Sequence, residues 1–315
     1  MFRSTKGLRK AGVLGLNRRN AEYTSRYNAR SLYPLVDDKL RTKKLAQEAG
    51  MAVPELYGAI DAPYQVRLFS SLVRSRDEFV VKPSGGSGGF GILVISGRTK
   101  KLYRRADGML VTEEDVKHHV LNILSGMYSL AGQPDKALIE YRVRFDPVFK
   151  AISYLGVPDV RIIVFLGVPV MAMVRLPTRL SGGRANLHQG AIGAGIDIAS
   201  GTTLTAVWRT EVVEDHPDTG NRVSDVAIPH WPDLLKLAAR CFDLTGWGYL
   251  GVDLVLDRDR GPMILELNAR PGLAIQIANR SGLEPRIQSV EQDYRDLKTV
   301  EDRVGFAQNR FGASP

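Results

Sequence analysis

The sequence predicts a globular protein that mixes helices with strands, large enough for two or three packed subdomains around one site. Three observations predict it. At 315 residues, 44% hydrophobic and 24% charged, the chain can bury a sizeable core. Apolar runs of strand length alternate with segments of helical spacing, and the densest glycine cluster sits between two of the strands. Disorder, a collagen helix and a disulfide scaffold are excluded. The longest apolar stretch, residues 162–174, is interrupted by Gly167 and Pro169 and is shorter than the roughly 18 to 20 residues needed to cross a bilayer. No transmembrane helix is expected.

Along the chain, residues 1–30 hold eight Arg and Lys against Glu22 alone, so most of the formal charge of +9 lies there. Such a leader suits a transit peptide, a polyanion-binding arm, a surface for anionic lipid or a solvated basic face. It lacks the apolar core of a secretory signal. Asp37 and Asp38 precede a short helical pattern with Leu40, Lys44, Leu45 and Glu48, stopped by Gly50 and Pro54. Residues 79–82 read as a strand, the glycine loop follows, and residues 92–95 read as a second strand. Thr112 with Asp115 forms a capping-box signature, and Val116, Val120, Ile123, Leu124 and Met127 continue that helix. Residues 137–143 are a further strand. Gly167-Val168-Pro169 marks a hairpin, and a polar glycine-rich loop, 181–195, holds Asn186, His188 and Gln189.

Cys241, the single cysteine, falls on the apolar stripe of Leu234, Leu237, Ala238 and Leu244, which makes it a core residue. With no disulfide and no zinc spacing, a reducing cytoplasm is the expected compartment. Two more strands, 250–256 and 262–268, are joined by Asp257-Arg258-Asp259-Arg260-Gly261, in which a four-residue loop, Arg258 to Gly261, sets the register; a charged, weakly periodic tail, 284–315, follows.

Two constellations carry chemistry. Gly86-Ser87-Gly88-Gly89-Phe90-Gly91 matches G-x-G-x-x-G, but a strand follows where a dinucleotide fold needs a helix, and no P-loop Lys-Ser/Thr is present. What fits is a flap whose backbone amides fold over phosphates. Lys82 at its base is a point charge for phosphate oxygens, or else a solvated strand-end lysine. The second constellation sets Asp253 opposite Glu266, with Asn268 two residues on and so on the same face. Three oxygen ligands then converge, which suits magnesium; acids paired with Arg270 are the alternative.

These residues resemble the ATP-grasp ligases. The resemblance covers roughly residues 38–272 through ordered motifs: Asp38-Lys39-Leu40, Lys82 with the flap, Ile139-Glu140-Tyr141, Asp159-Val160-Arg161, Gly251-Val252-Asp253 and Glu266-Leu267-Asn268-Ala269-Arg270-Pro271-Gly272. Asn186-Leu187-His188 and Arg175 look closest to the ribosomal-protein S6 glutamate ligase branch and its alpha-L-glutamate ligase-like relatives. The resemblance implies an α+β ATP-grasp fold in which two α+β subdomains clamp ATP, with the strand around Glu140 as hinge. The expected organisation is a basic leader, 1–36, a flap-bearing subdomain, 37–136, a metal-site subdomain, 137–283, and the tail, 284–315. The leader stands as a truncated region in place of the usual preceding domain, either lining an acidic-substrate site or mediating oligomerisation.

It also implies roles. Lys39 and Lys82 would hold the α and β phosphates, with Ser84, Gly85, Gly86, Ser87, Gly88 and Gly89 covering them and Glu140, Tyr141, Arg142 and Val143 reading adenine. Asp253, Glu266 and Asn268 match ligands of two magnesium ions, which manganese can replace. Arg161, Arg175, Asn186 and Arg270 match groups that steady the substrate carboxylate and the transferred phosphate. His188 either takes a proton from the amine or binds substrate or backbone. The implied partners are a carboxylate and an amine, an amino acid or peptide among them, with no nucleic acid. The implied reaction forms an amide through an acyl phosphate. Phosphorylation of a hydroxyl by the same clamp and non-catalytic ATP binding are the alternatives.

Overall fold

The computed structural model describes residues 5–86, 88–129 and 132–312. It divides into two compact units, each around its own sheet: one comprises Asp37–Lys44 and Val53–Arg144, the other Met1–Val36, Leu45–Ala52 and Phe145–Pro315. No helix among the described residues is long and apolar enough to cross a membrane.

In the first unit, β1 (Leu56–Ile60), β2 (Phe79–Pro83), β3 (Leu93–Thr99), β4 (Leu102–Arg105), β5 (Leu110–Thr112) and β6 (Ala137–Glu140) form an antiparallel sheet in the order β1-β6-β2-β3-β4-β5. The helix Glu113–Leu124 starts at the expected capping box: the Asp115 amide donates to the Thr112 hydroxyl at 3.1 Å, and the Thr112 amide donates to the Asp115 carboxylate at 2.8 Å. Its Val116, Val120 and Ile123 are buried in a core with Phe79, Val81, Ile95 and Ile139. Met127, which the spacing adds to this helix, lies beyond its end and is 64% exposed. The β6 strand pairs between β1 and β2, so Glu140 belongs to the sheet that carries the glycine loop. The border between units falls after Arg144 rather than at 136/137.

The second unit holds β7 (Asp159–Phe165), β8 (Val168–Leu176), β9 (Ile192–Ile196), β10 (Thr203–Trp208), β11 (Glu211–Val213), β12 (Tyr249–Asp257) and β13 (Gly261–Asn268). They form an antiparallel sheet in the order β11-β10-β9-β8-β7-β12-β13. Every residue of β7, β8 and β12 is buried, which explains why they read as mostly apolar runs, broken by Asp159, Arg161, Arg175 and Asp253, instead of alternating ones. The predicted hairpin turns at Leu166-Gly167, where φ of 47° and 82° gives the primed turn that suits a twisted ribbon. The helix Trp231–Thr245 packs on β7, β8, β12 and β13 and buries Leu234, Leu235, Ala238 and Cys241. Burial pushes the Cys241 thiol up, as expected of a core cysteine.

Residues 14–28 and 284–311 are more structured than the sequence suggests. Leu14 and Tyr23 are buried, Tyr23 meeting Phe165 edge-on at 5.8 Å and stacking on Tyr249 at 6.4 Å. The Asn28 side-chain amide donates to the Tyr249 carbonyl at 2.7 Å, and its oxygen accepts from the Tyr249 amide at 2.9 Å. Residues 14–28 are therefore a packed element, anchored by the aromatics between its arginines. The tail folds into helices Glu284–Asp293 and Val300–Phe311, the second packed on β8 and on Trp231–Thr245. Arg303 is buried on that helix and forks onto Asp243 at 3.0 and 2.6 Å. A charge on the inward face is what weakens the periodicity.

Candidate active site

The glycine loop joins β2 to β3, as expected, and its glycines are needed where they stand. Gly88, Gly89 and Gly91 have φ of 66°, 77° and 74°, a region that side chains disfavour. A Cβ on Gly91 would also fall 2.5 Å from the Tyr128 ring. The base of the loop is tied down. The Gly85 amide donates to Asp135 at 3.0 Å, the Ser84 hydroxyl donates to Asp38 at 2.6 Å, and the Lys39 ammonium donates to the Gly86 carbonyl. Asp38 in turn accepts from the Leu40 amide at 2.9 Å, which caps the helix Lys39–Glu48. Ser87 lies outside the described residues.

Behind the loop is a buried charge cluster. Glu140 takes Lys82 at 2.5 Å on one oxygen and Lys43 at 2.6 Å on the other, and all three are buried. Burial opposes the Glu140 charge, but Lys82 and Lys43 outweigh it and hold its carboxyl below the usual range. Lys43 is pushed down to about 8, by burial first and by Lys82 next, against the pull of Glu140. The Glu140 carboxylate thus holds lysines in this structure, whereas the resemblance makes it an adenine reader. Lys43 escaped the sequence reading although it lies four residues, one helical turn, after Lys39. Two cations against one acid leave a positive charge, which suits a polyphosphate. Of the other expected adenine residues, the Tyr141 amide donates to the Glu55 carbonyl at 2.8 Å, Arg142 pairs with Glu78 at 3.0 Å, and Val143 is buried.

The second unit gathers an acid–arginine cluster on one sheet face. Arg161 on β7 is the cross-strand partner of Asp253 on β12, which also pairs with Glu266 on β13. Arg161 forks onto Asp253 at 2.7 and 2.6 Å. Arg175 forks onto Asp159 at 2.5 and 2.6 Å and reaches Asp253 at 2.7 Å, while the Asn268 amide donates to Asp253 at 3.1 Å. Burial works against the Asp253 charge, yet Arg161 and Arg175 win and hold it far below the ordinary carboxylate range. Asp159 is raised by burial and by Asp253 despite Arg175. The sequence motifs do not single out Asp159 for the site, although it stands two residues before Arg161 and so on the same face.

The pairing of Asp253 with Glu266 arises differently from the four-residue loop expected. Only Arg258, Asp259 and Arg260 separate the strands, with Asp257 accepting from the Asp259 and Arg260 amides at 2.9 Å. That loop pairs Leu254 with Ile264, and an irregularity next to it shifts the register so that Glu266 stands opposite Asp253. The irregularity is a bulge at Leu265, a device that re-aims side chains beside sites.

Whether magnesium suits this face depends on the donors. The Asp253 oxygens are engaged by two guanidiniums, so the three ligands do not stand open side by side as expected. No group of three or more His, Cys, Asp or Glu side chains is arranged for a metal among the described residues. Glu266, however, lies within hydrogen-bonding reach of Asp253, and acids in contact share a proton or a cation. Asp253 and Glu266 present carboxylate oxygens and Asn268 an amide oxygen on the same face, so the donors are hard oxygens. The set fits magnesium.

Three expected site residues lie apart from this cluster's hydrogen bonds. The Asn186 side chain accepts from the His188 amide at 3.0 Å and caps the turn Leu187–Gln189, and His188 is exposed. Arg270 is exposed, with its guanidinium 5.9 Å from the centroid of the Tyr33 ring, so the acids pair with Arg161 and Arg175 instead.

A glycine flap with buried lysines on one antiparallel sheet, and acids beside arginines on another, define an ATP-grasp protein. The chain belongs to the sugar-transfer associated ATP-grasp family, whose model matches residues 18–292. Solved structures of similar fold include the ATP-grasp ligase PsnB complexed with minimal precursor, at 16% identity and a TM-score of 0.45 over 84% of this chain and 63% of that one. The D-cycloserine synthetase DcsG matches at 17% identity and 0.47, over 86% and 74%. The D-alanine–D-alanine ligase of Coxiella burnetii matches at 13% and 0.43, over 88% and 58%. The chain thus spans less than two thirds of the PsnB chain. No curated protein matches it.

Proposed function

We propose that the protein is an ATP- and magnesium-dependent ligase that joins a carboxylate to an amine. The observation that carries this reading is the contact of Asp253 with Glu266, beside Asn268 and two buried guanidiniums on one sheet face. Lys39 and Lys82 hold the α and β phosphates under the 84–91 loop, with Glu140 keeping Lys82 in place, and residues 141–143 meet adenine through their backbone. A carboxylate oxygen of the substrate attacks the γ-phosphorus, the bond to the bridging oxygen breaks and ADP leaves. The amine nitrogen then attacks the acyl carbon, phosphate departs with the C–O bond, and the amine gives up one proton. Arg161 and Arg175 meet the charge that travels with the phosphoryl group; their own acids fix them, so they need no reorganisation. Glu266, Asn268 and Asp253 would hold magnesium, which would supply charge neutralisation at the phosphate oxygens.

The finer reading takes an amino acid, glutamate among them, added to a peptide or small acceptor, after the S6 glutamate ligase branch that the sequence resembles. A reducing cytoplasm goes with it, on the strength of the single buried cysteine. The test is ADP and phosphate release from Mg-ATP against amino acids and peptides, with product masses and Glu266→Gln as control. The expected product is lighter by one water than its two substrates, and Glu266→Gln lowers kcat at least about a hundredfold. A product heavier by one phosphoryl group would replace the ligase with a kinase.

A further inference from the structure

The basic leader holds a cation that the proposed chemistry leaves unused. Arg19 is 5% exposed, yet neither it nor Arg270 has a carboxylate partner among the described residues. Its guanidinium donates to the Pro271 carbonyl at 2.7 Å and to the Asn20 side chain at 3.0 and 2.8 Å, leaving two of its five N–H groups. A buried charge with no counter-charge is costly, and Arg270, next in sequence to Pro271, adds like charge. Burial first, and Arg270 also, lower the Arg19 pKa.

The position ties this pair to the Asp253 face. Tyr249, Gly251 and Asp253 alternate on β12 and so point to one side. Pro271 lies against Gly251, where a Cβ would come within 2.6 Å of it, and Tyr23, four residues after Arg19, stacks on Tyr249. The Tyr249 hydroxyl is buried there without a hydrogen-bond partner. Arg19 opens a π-helical turn, Arg19–Thr24, a departure from regular helix common at functional sites. From Asp253 to Tyr249 the strand rises about 13 Å.

We infer that Arg19 and Arg270 form an oxyanion subsite that holds a second anionic group of the substrate, about 7 to 13 Å along β12 from Asp253. This rests on the ligase reading for its placement beside the chemistry. The substrate class is then an acid with a further carboxylate or phosphate one short chain away from the reacting group.

The test is titration of the full chain with glutarate and with inorganic phosphate by saturation-transfer NMR, with and without AMPPNP. It is run on wild type, Arg19→Gln, Arg19→Lys and Arg270→Gln, with the melting temperature followed for each. Binding of either probe, weakened about tenfold to a hundredfold in Arg19→Gln and Arg270→Gln, is expected, and the probe that binds identifies the group. Arg19→Lys keeps the charge without the fork, so it guards against misfolding in Arg19→Gln and should weaken binding by a smaller factor. Failure of both probes to bind wild type, or affinity unchanged in Arg19→Lys and Arg270→Gln, would overturn the subsite. Failure of AMPPNP alone to bind would sink the ligase reading and leave the subsite standing.

Discussion

At the scale of residues, the two buried charge clusters make opposite demands. Glu140 separates Lys43 from Lys82, so Glu140→Gln leaves two buried cations facing each other and should cost about 3 to 5 kcal/mol in urea unfolding. Lys43→Met leaves a matched pair and should change stability far less, by about 1 kcal/mol. In the other cluster Asp253 is held below its ordinary value, so its share of stability is present above about pH 4 and is lost as pH falls through the lower folded value. Asp253→Asn should therefore flatten that acid limb when unfolding free energy is measured against pH. Asp159 is raised, and its slope runs the other way, stability falling as pH rises between its unfolded and folded values.

At the scale of elements, what the sequence revealed was local chemistry. Thr112 with Asp115 announced a helix start, and the glycines between two β-rich runs announced the flap, because both signals depend on residues a few positions apart. Register over distance was harder. Asp253 stands opposite Glu266 as expected, but through a three-residue loop and a bulge, two departures whose effects on pairing cancel. The partners of Arg161 and Arg175 required knowing that β7 lies between β8 and β12. The leader was opaque because its charges outnumber its anchors, Leu14, Tyr23 and Asn28. Within the flap, Gly91→Ala meets both a left-handed backbone and the Tyr128 ring. It should lower stability by about 1 to 3 kcal/mol in thermal or urea unfolding.

At the scale of the whole molecule, the unit Val53–Arg144 completes itself with Asp37–Lys44, which brings Asp38 to Ser84 and Lys43 to Glu140. A fragment spanning 37–144 should therefore give a dispersed amide NMR spectrum, while 53–144, lacking those ties, should be less stable by several kcal/mol. Equal stability of the two fragments would mean that the segment is dispensable to the sheet.

The strands at the borders of both sheets are short or interrupted. The β5 and β11 strands have three residues each, β1 is broken by a register shift, and the Ala52 carbonyl takes the Ile264 amide on β13. Little straight, unpaired backbone is left for another chain to extend into a fibril. A concentrated preparation should accordingly stay free of thioflavin-positive aggregate for as long as it stays folded.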